Sequence, residues 1–203
     1  MTRIRVSLAV LALFMMGGTL ARAATIDFES FDLVGGPFLD VPESLPFPNV
    51  GGSGVDVTIN GGADNRIYDL FQYGHDSNAV GQALIDWPWP SGSNPAGTEM
   101  LFSVSVAEVS MRVGDFGGDD DTPLLLRAFD VNGVEIGSDS VNWPATAQPP
   151  FATLSVTVAG IRKVIFSSGG FYAGSVFIDD VTFSTSVSVE SESWAGIKAL
   201  YRD

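Results

Sequence analysis

"PLLLRAFDVNGVEIGSDSV", residues 123–141, contains two runs of strand-forming residues on either side of the turn sequence VNG (131–133). An Asn-Gly pair adopts the positive φ angles that the tight turn of an antiparallel hairpin requires. The stretch therefore predicts a β-hairpin whose strands are 123–130 and 134–141.

Similar short runs occur on both sides of the hairpin, separated by Gly, Pro, Asn and Asp. The segment 32–54 is rich in Pro and Gly and predicts a loop, whereas 99–113 predicts one or two strands. No helical period appears before the last dozen residues. The pattern predicts an all-β fold, an antiparallel jelly-roll β-sandwich of about nine to eleven strands. The remaining predicted strands are 24–31, 55–59, 66–71, 82–87, 151–158, 161–168 and 174–184.

The first 23 residues have the features of a signal peptide. Arg3 and Arg5 are basic, residues 6–16 are apolar, and ARA (21–23) offers small residues for cleavage. The apolar stretch is shorter than the roughly 20 residues that span a bilayer. We therefore expect export to the periplasm, the outer surface or the exterior, with no transmembrane anchor in the mature chain.

The remaining chain divides into a predicted β-sandwich domain, residues 24–185, and a C-terminal tail, residues 186–203. Trp194, Ile197 and Tyr201 of the tail recur at helical spacing. They predict a short amphipathic helix, with a disordered tag as the alternative. The sequence has no cysteine, so burial, with or without a bound metal, must hold the domain together without disulfides.

Acidic residues dominate the charge of this chain. Ten basic residues stand against 24 acidic ones, which gives a net charge of −14. Nucleic acids and anionic lipids are bound by clusters of Lys and Arg, so both are excluded as partners. A strongly acidic surface favours divalent cations, although solubility alone also explains it.

Several stretches resemble the β-sandwich domains of exported bacterial surface proteins of the PEP-CTERM or choice-of-anchor type. They are "GDFGGDDDTPLLLRAFDVNGVEIGS" (114–138) and "SVFIDDVTF" (175–183), within a resemblance that covers about 25–184. The resemblance implies a galactose-binding-like jelly roll with a role in the envelope or matrix. The PEP-CTERM tail itself is absent, and "SESWAGIKALYRD" (191–203) instead resembles short endings of other secreted bacterial proteins, which makes it a candidate sorting tag.

Two groups of carboxylates are candidate calcium ligands. In jelly-roll modules the first and last strands often lie side by side, which would bring Glu29 near Asp180. A buried carboxylate needs a partner or a metal, so these two residues predict a structural calcium site. Two exposed edge acids are the alternative. Asp119 and Asp121, in the loop before the hairpin, are a weaker alternative site. Asp119, Asp120 and Asp121 cannot all converge on one ion without a sharp turn, because adjacent residues of an extended chain point to opposite sides, and a solvated loop between strands is the other interpretation.

Aromatic residues suggest a ligand. Trp87 and Trp89 are two residues apart and alternate with prolines, so an extended chain would present both indoles on one side. Such a platform suits stacking on sugar rings, with Tyr73 and Trp143 as further contacts. The alternative is that these tryptophans close the end of the sandwich.

Catalysis is not predicted. The only histidine is His75, which excludes a His-rich zinc site, and the G-x-S-x-G pattern of a hydrolase nucleophile is absent. The sequence thus predicts a non-catalytic exported binding module, with extracellular or envelope polysaccharide as the favoured ligand. The alternatives are a structural matrix or adhesion protein without a small ligand, and a glycoside hydrolase.

Overall fold

The structure, a computed structural model, describes residues 23–34, 36–61, 65–70, 81–86, 97–115, 123–142, 151–169 and 176–185. These residues contain eleven strands and a short 3-10 helix, Val50–Gly52. The strands are β1 (Ala23–Ile26), β2 (Phe38–Asp40), β3 (Ser44–Phe47), β4 (Val57–Asn60), β5 (Asn65–Asp69), β6 (Gln82–Asp86), β7 (Thr98–Asp115), β8 (Leu124–Phe129), β9 (Glu135–Val141), β10 (Ala152–Ser168) and β11 (Val176–Thr185).

Two long strands, β7 and β10, connect the two layers of the sandwich. The first part of β7 pairs with β4 and with the end of β10, whereas its second part pairs with β11 and with the start of β10. One layer therefore has the order β3-β4-β7-β10-β8-β9, and the other has β2-β5-β6-β11-β7-β10. Every pairing between described strands is antiparallel, which confirms the predicted all-β sandwich.

The core lies between the facing sides of these two layers. In β8, Leu124, Leu126 and Ala128 are buried while the residues between them are partly exposed. The same core cluster contains Leu84 of β6 and Phe183 of β11, from the other layer. Side chains from both layers thus bury one another, which is the main source of stability for a chain without disulfides.

The hairpin of residues 123–141 is confirmed as β8 and β9. Its turn is stabilised by the Asp130 side chain, whose Oδ1 accepts the backbone N–H groups of Asn132 (2.8 Å) and Val134 (2.9 Å). These backbone hydrogen bonds, first that from Val134, lower the pKa of Asp130. Gly133 has a φ of 78°, as the Asn-Gly turn requires.

Three predictions about the strands were wrong. The strand predicted at 24–31 ends at Ile26, because the left-handed conformation of Phe28, with a φ of 57°, turns the chain out of the sheet. The segment 32–54 was predicted as a loop but contains β2 and β3. Both strands are only three or four residues long, and β3 contains Pro46, which an edge strand tolerates because its outer side forms no ladder. The separate strands predicted at 151–158 and 161–168 are the single strand β10, whose pairing with β7 shifts register between Thr157 and Ile161.

The predicted signal peptide, apart from Ala23, and the predicted tail lie outside the described residues. The described strands run from Ala23 to Thr185. No helix in this part of the chain is long and apolar enough to cross a membrane.

Alanine substitution of two glycines, Gly97 and Gly133, tests the packing at the start of β7. Gly97 and Gly133 have similar positive φ angles, 74° and 78°. A Cβ on Gly97 would overlap the carbonyl oxygen of Phe166, whereas a Cβ on Gly133 would meet nothing within 4 Å. We expect Gly133→Ala to lower the free energy of unfolding by about 1 kcal/mol through backbone strain alone. Gly97→Ala should lower it by at least about 2 kcal/mol, because the overlap adds to that strain.

Urea unfolding of the two variants measures this difference. Equal losses of stability in Gly97→Ala and Gly133→Ala would contradict the close approach of residue 97 to β10.

Candidate functional site

The last strand, β11, changes its neighbour half-way along its length. Phe177 and Ile178 pair with β6, whereas residues 181–184 pair with β1. Asp179 and Asp180 lie between these two parts, and Asp180 has a φ of 46°, in the left-handed region. The pairing of β11 with β7 also shifts register between Asp179 and Thr182. The two aspartates therefore mark a break in the strand.

Asp179 is the buried member of this pair. It is 3% exposed, and its Oδ1 accepts the backbone N–H of Asp180 at 2.7 Å. The Asp180 side chain is 42% exposed. The calcium hypothesis used Asp180, whereas Asp179 is the buried aspartate. The left-handed conformation at Asp180 interrupts the strand alternation, and strand alternation alone does not tell which aspartate is buried.

Arg112 of β7 provides the counter-charge. Its Nη1 lies 2.9 Å from Asp180 Oδ2 and 3.4 Å from Asp179 Oδ2. The guanidinium carbon lies 3.8 Å from the centre of the Phe151 ring, a cation–π contact that fixes the side chain. One cation thus bridges both carboxylates across the β7–β11 pairing.

Glu29 reaches the same break from the beginning of the chain. The pairing of β1 with β11 confirms that the first and last strands lie side by side. Glu29 Oε1 accepts the backbone N–H of Gln82 at 2.7 Å, and Gln82 Nε2 donates to the carbonyl of Phe31 at 3.1 Å. The turn after β1 is therefore attached to the start of β6, beside the break in β11.

Negative charge exceeds positive charge at this junction between β11, β7 and the turn after β1. Burial raises the pKa of Asp179 to about 7, and the negative charges of Asp180 and Glu29 act in the same direction. The hydrogen bond from the Asp180 N–H and the charge of Arg112 oppose that rise. Three carboxylates face one guanidinium, so the cluster carries excess negative charge when all three are ionised. Among the described residues no three carboxylate or histidine side chains form a ready-made metal site.

Other candidate residues lie outside the described ranges: Tyr73, Trp87, Trp89 and Trp143 of the proposed aromatic platform, and Asp119 and Asp121 of the alternative calcium loop.

The sequence interpretation missed Arg112 and Phe151. The sequence gives little signal for Arg112, because alternation between buried Met111 and Val113 places it on the outer side of β7, where a cation is ordinarily solvated. Its partner on β11 follows only from the register between two strands that are distant in sequence.

Comparisons with known proteins agree with the fold. No family model and no curated protein matches this chain. Among solved structures, a DUF4465 family protein from Bacteroides caccae has 9% identity and a TM-score of 0.52, covering 81% of this chain and all of that one. The K2 cleaved adhesin domain of Lys-gingipain has 13% identity and a TM-score of 0.44, covering 80% and 99%. The CBM22-1 xylan-binding domain of Paenibacillus barcinonensis Xyn10C has 13% identity and a TM-score of 0.37, covering 82% and 95%.

The first of these similarities concerns the fold alone, and the other two are too distant to carry an argument. The β-sandwich implied by the sequence resemblance agrees with the structure. The assignment to the PEP-CTERM or choice-of-anchor type stays a prediction.

The raised pKa of Asp179 predicts how stability depends on pH in the presence of a chelator. Between about pH 4 and 7 the folded protein keeps this proton while the unfolded chain, with an ordinary pKa of 3.8, has lost it. Stability from this group is therefore fully present below pH 4 and is lost as the pH rises towards 7. Relative to Asp179→Asn, the free energy of unfolding of the wild type should fall by about 1.4 kcal/mol per pH unit in this window.

Urea unfolding at several pH values checks this expectation. Asparagine can still accept the Asp180 N–H, so the variant is expected to fold. Glu108→Gln, which changes an exposed carboxylate on the same strand as Arg112, is the control and should keep the wild-type pH dependence. Parallel curves for the wild type and Asp179→Asn would contradict the assignment.

Proposed function

We propose that this chain is an exported, non-catalytic β-sandwich module that binds polysaccharide and is stabilised by calcium. The observation that carries the proposal is the position of the Trp-Pro-Trp-Pro stretch, residues 87–90, directly after strand β6. A ligand platform needs a rigid support, and β6 provides one. Ala83, Leu84 and Ile85 are each 0% exposed, and the strand is paired on both sides, with β5 and β11.

The chemistry of the stretch favours a sugar. Pro88 and Pro90 fix their own φ angles and favour extended conformations at Trp87 and Trp89. Residues two apart in an extended chain point to the same side, so the indoles would form one flat surface. A pyranose ring presents C–H groups that pack on such an aromatic face, while its hydroxyl groups stay hydrated or bonded to nearby polar groups.

A binding role also fits the carboxylates of the described residues better than a hydrolytic role. A glycoside hydrolase needs two carboxyl groups on either side of a bound substrate. The carboxylate with the strongly raised pKa, Asp179, is instead buried within a strand junction and bridged by Arg112. Its position supports a structural role.

We expect Trp87→Ala/Trp89→Ala to lose retention in affinity gels that contain the polysaccharide the wild type binds. Removal of each stacking contact should raise Kd by about tenfold, equivalent to about 1.4 kcal/mol. Trp194→Ala in the tail is the matched control and should migrate like the wild type. Unchanged retention of the double variant would exclude the platform.

The same gels separate the rival functions. A matrix or adhesion protein without a small ligand would migrate freely through every neutral and charged polysaccharide. Release of reducing ends, abolished by a single carboxylate substitution, would identify a hydrolase.

Calcium is the second part of the proposal, and the charge excess at the β11 break supports it. The negative charges of Asp180 and Glu29 both act on Asp179 there, and Arg112 offsets only one of the three charges. Calcium prefers carboxylate and carbonyl oxygens and tolerates irregular geometry. A bound ion would connect the beginning and the end of the chain, and binding to the folded state alone raises Tm.

We expect calcium, compared with chelator, to raise the Tm of the wild type and of Asp119→Asn/Asp120→Asn/Asp121→Asn by several degrees. Asp179→Asn and Asp180→Asn should lose this response. If the triple variant loses it while Asp180→Asn keeps it, the ion binds in the loop before β8. If the wild type does not respond, Arg112 is the only counter-ion of the cluster.

A further inference from the structure

A second surface combines apolar and cationic side chains on the outer side of the layer that contains β8. We call it the Arg127 face. Its members lie on β7, β8 and β10 and alternate with core residues of the same strands, so they point away from the core. None of the apolar members belongs to the described core clusters or packs against them. The face consists of Leu101, Leu125, Arg127, Phe129, Lys163 and Ile165, with the carboxylates of Glu99, opposite Ile165, and Glu135, opposite Phe129, at its sides.

Arg127 lies in the middle of this face without an anionic partner. Its cross-strand neighbours are Ile165 of β10 and Ser138 of β9, and both are uncharged. Its Nε is shielded from water and has no hydrogen-bond partner. By contrast, Arg66 and Arg112 each lie within 4.0 Å of a carboxylate. Within the described residues Arg127 forms no ion pair, so a buried donor of a charged group is left unsatisfied.

Phe129 places a ring surface beside this charge. Its centre lies 5.7 Å from the guanidinium carbon of Arg127 and 5.1 Å from Lys163 Nζ. Lys163 is already paired with Glu99 at 3.1 Å. Leu101, the cross-strand neighbour of Lys163 on β7, is 38% exposed. The face therefore offers apolar contact area around one cation that has no counter-ion.

We propose that the Arg127 face binds a polysaccharide whose sugars carry carboxylate groups. The two terminal nitrogens of a guanidinium can donate parallel hydrogen bonds to one carboxylate, and Arg127 makes no such pair with a described residue. The C–H groups of a uronate ring fit the ring of Phe129 and the side chain of Leu101. The net charge of −14 opposes a polyanion at long range, but charges farther away than about 8 Å are screened at physiological salt.

A sugar fits this face better than a second copy of the chain. Stable protein interfaces involve about 20–30 residues from each partner, whereas the face has six. The inference does not use residues 87–90, so it stands or falls separately from the aromatic platform.

The test is gel retardation by polygalacturonate in EDTA and 0.15 M salt, with neutral xylan as the reference polymer. EDTA prevents calcium from bridging the acidic protein and the acidic polymer. The variants are Arg127→Gln and Phe129→Leu. Arg66→Gln is the matched control, because it also removes a cation that lies over a phenylalanine, 4.7 Å from the Phe38 ring.

We expect polygalacturonate to retard the wild type and Arg66→Gln, and Kd to rise about tenfold or more in Arg127→Gln. Phe129→Leu should bind more weakly than the wild type. Arg127→Gln should keep the wild-type Tm, because it removes a donor that has no partner. If Arg127→Gln unfolds instead, binding by Phe129→Leu is the test: weaker retardation by polygalacturonate supports the face, and unchanged retardation excludes it.

Three results would overturn the proposal: free migration of the wild type, unchanged retardation of Arg127→Gln, or equal losses in Arg127→Gln and Arg66→Gln. Sedimentation provides a fourth. A wild-type dimer that Arg127→Gln converts to a monomer would make the face a self-association surface. Loss of xylan retention in Trp87→Ala/Trp89→Ala with polygalacturonate retention intact would show that the two sites are independent.

Discussion

The buried carboxylate of Asp179 is the constraint on which the arrangement of the chain ends depends. Along one edge β11 pairs first with β6 and then with β1, and its regular pairing is interrupted between the two at Asp179 and Asp180. The Asp179 side chain accepts the N–H of Asp180 where the regular pairing is interrupted, so the break does not leave that backbone donor unsatisfied. Arg112 then compensates part of the buried charge from the neighbouring strand.

The break also explains why residues from both ends of the chain meet at one place. The turn after β1 carries Glu29, the start of β6 supplies the N–H of Gln82, and β7 supplies Arg112. The two long strands β7 and β10 hold this junction in one layer and the Arg127 face in the other. Of the two proposed binding surfaces, the Arg127 face lies on paired strands, and the aromatic stretch, residues 87–90, directly follows the paired strand β6 in sequence.

Local sequence patterns predicted the strands and turns that depend on the conformational preferences of their own residues. The VNG turn determines the β8–β9 hairpin, and the alternation of 99–113 determines most of β7. The short strands β2 and β3 were missed because pairing with neighbours, and not their own propensity, makes them strands.

For the site, the proximity of Glu29 to the last strand was predictable from topology. The burial of Asp179 instead of Asp180 was not, because it depends on one left-handed residue. The pairing of Arg112 depends on register between distant strands, and so does the isolation of Arg127.

Burial of the Asp179 carboxyl group raises its pKa more than the positive charge of Arg112 lowers it. The most direct measurement is an NMR titration of the Asp179 side-chain carboxyl carbon in the presence of a chelator. The account predicts a midpoint near pH 7, since burial raises the pKa of Asp179 to about 7. A midpoint at or below the ordinary value of 3.8 would show that Arg112 fully compensates the charge, and it would contradict the account.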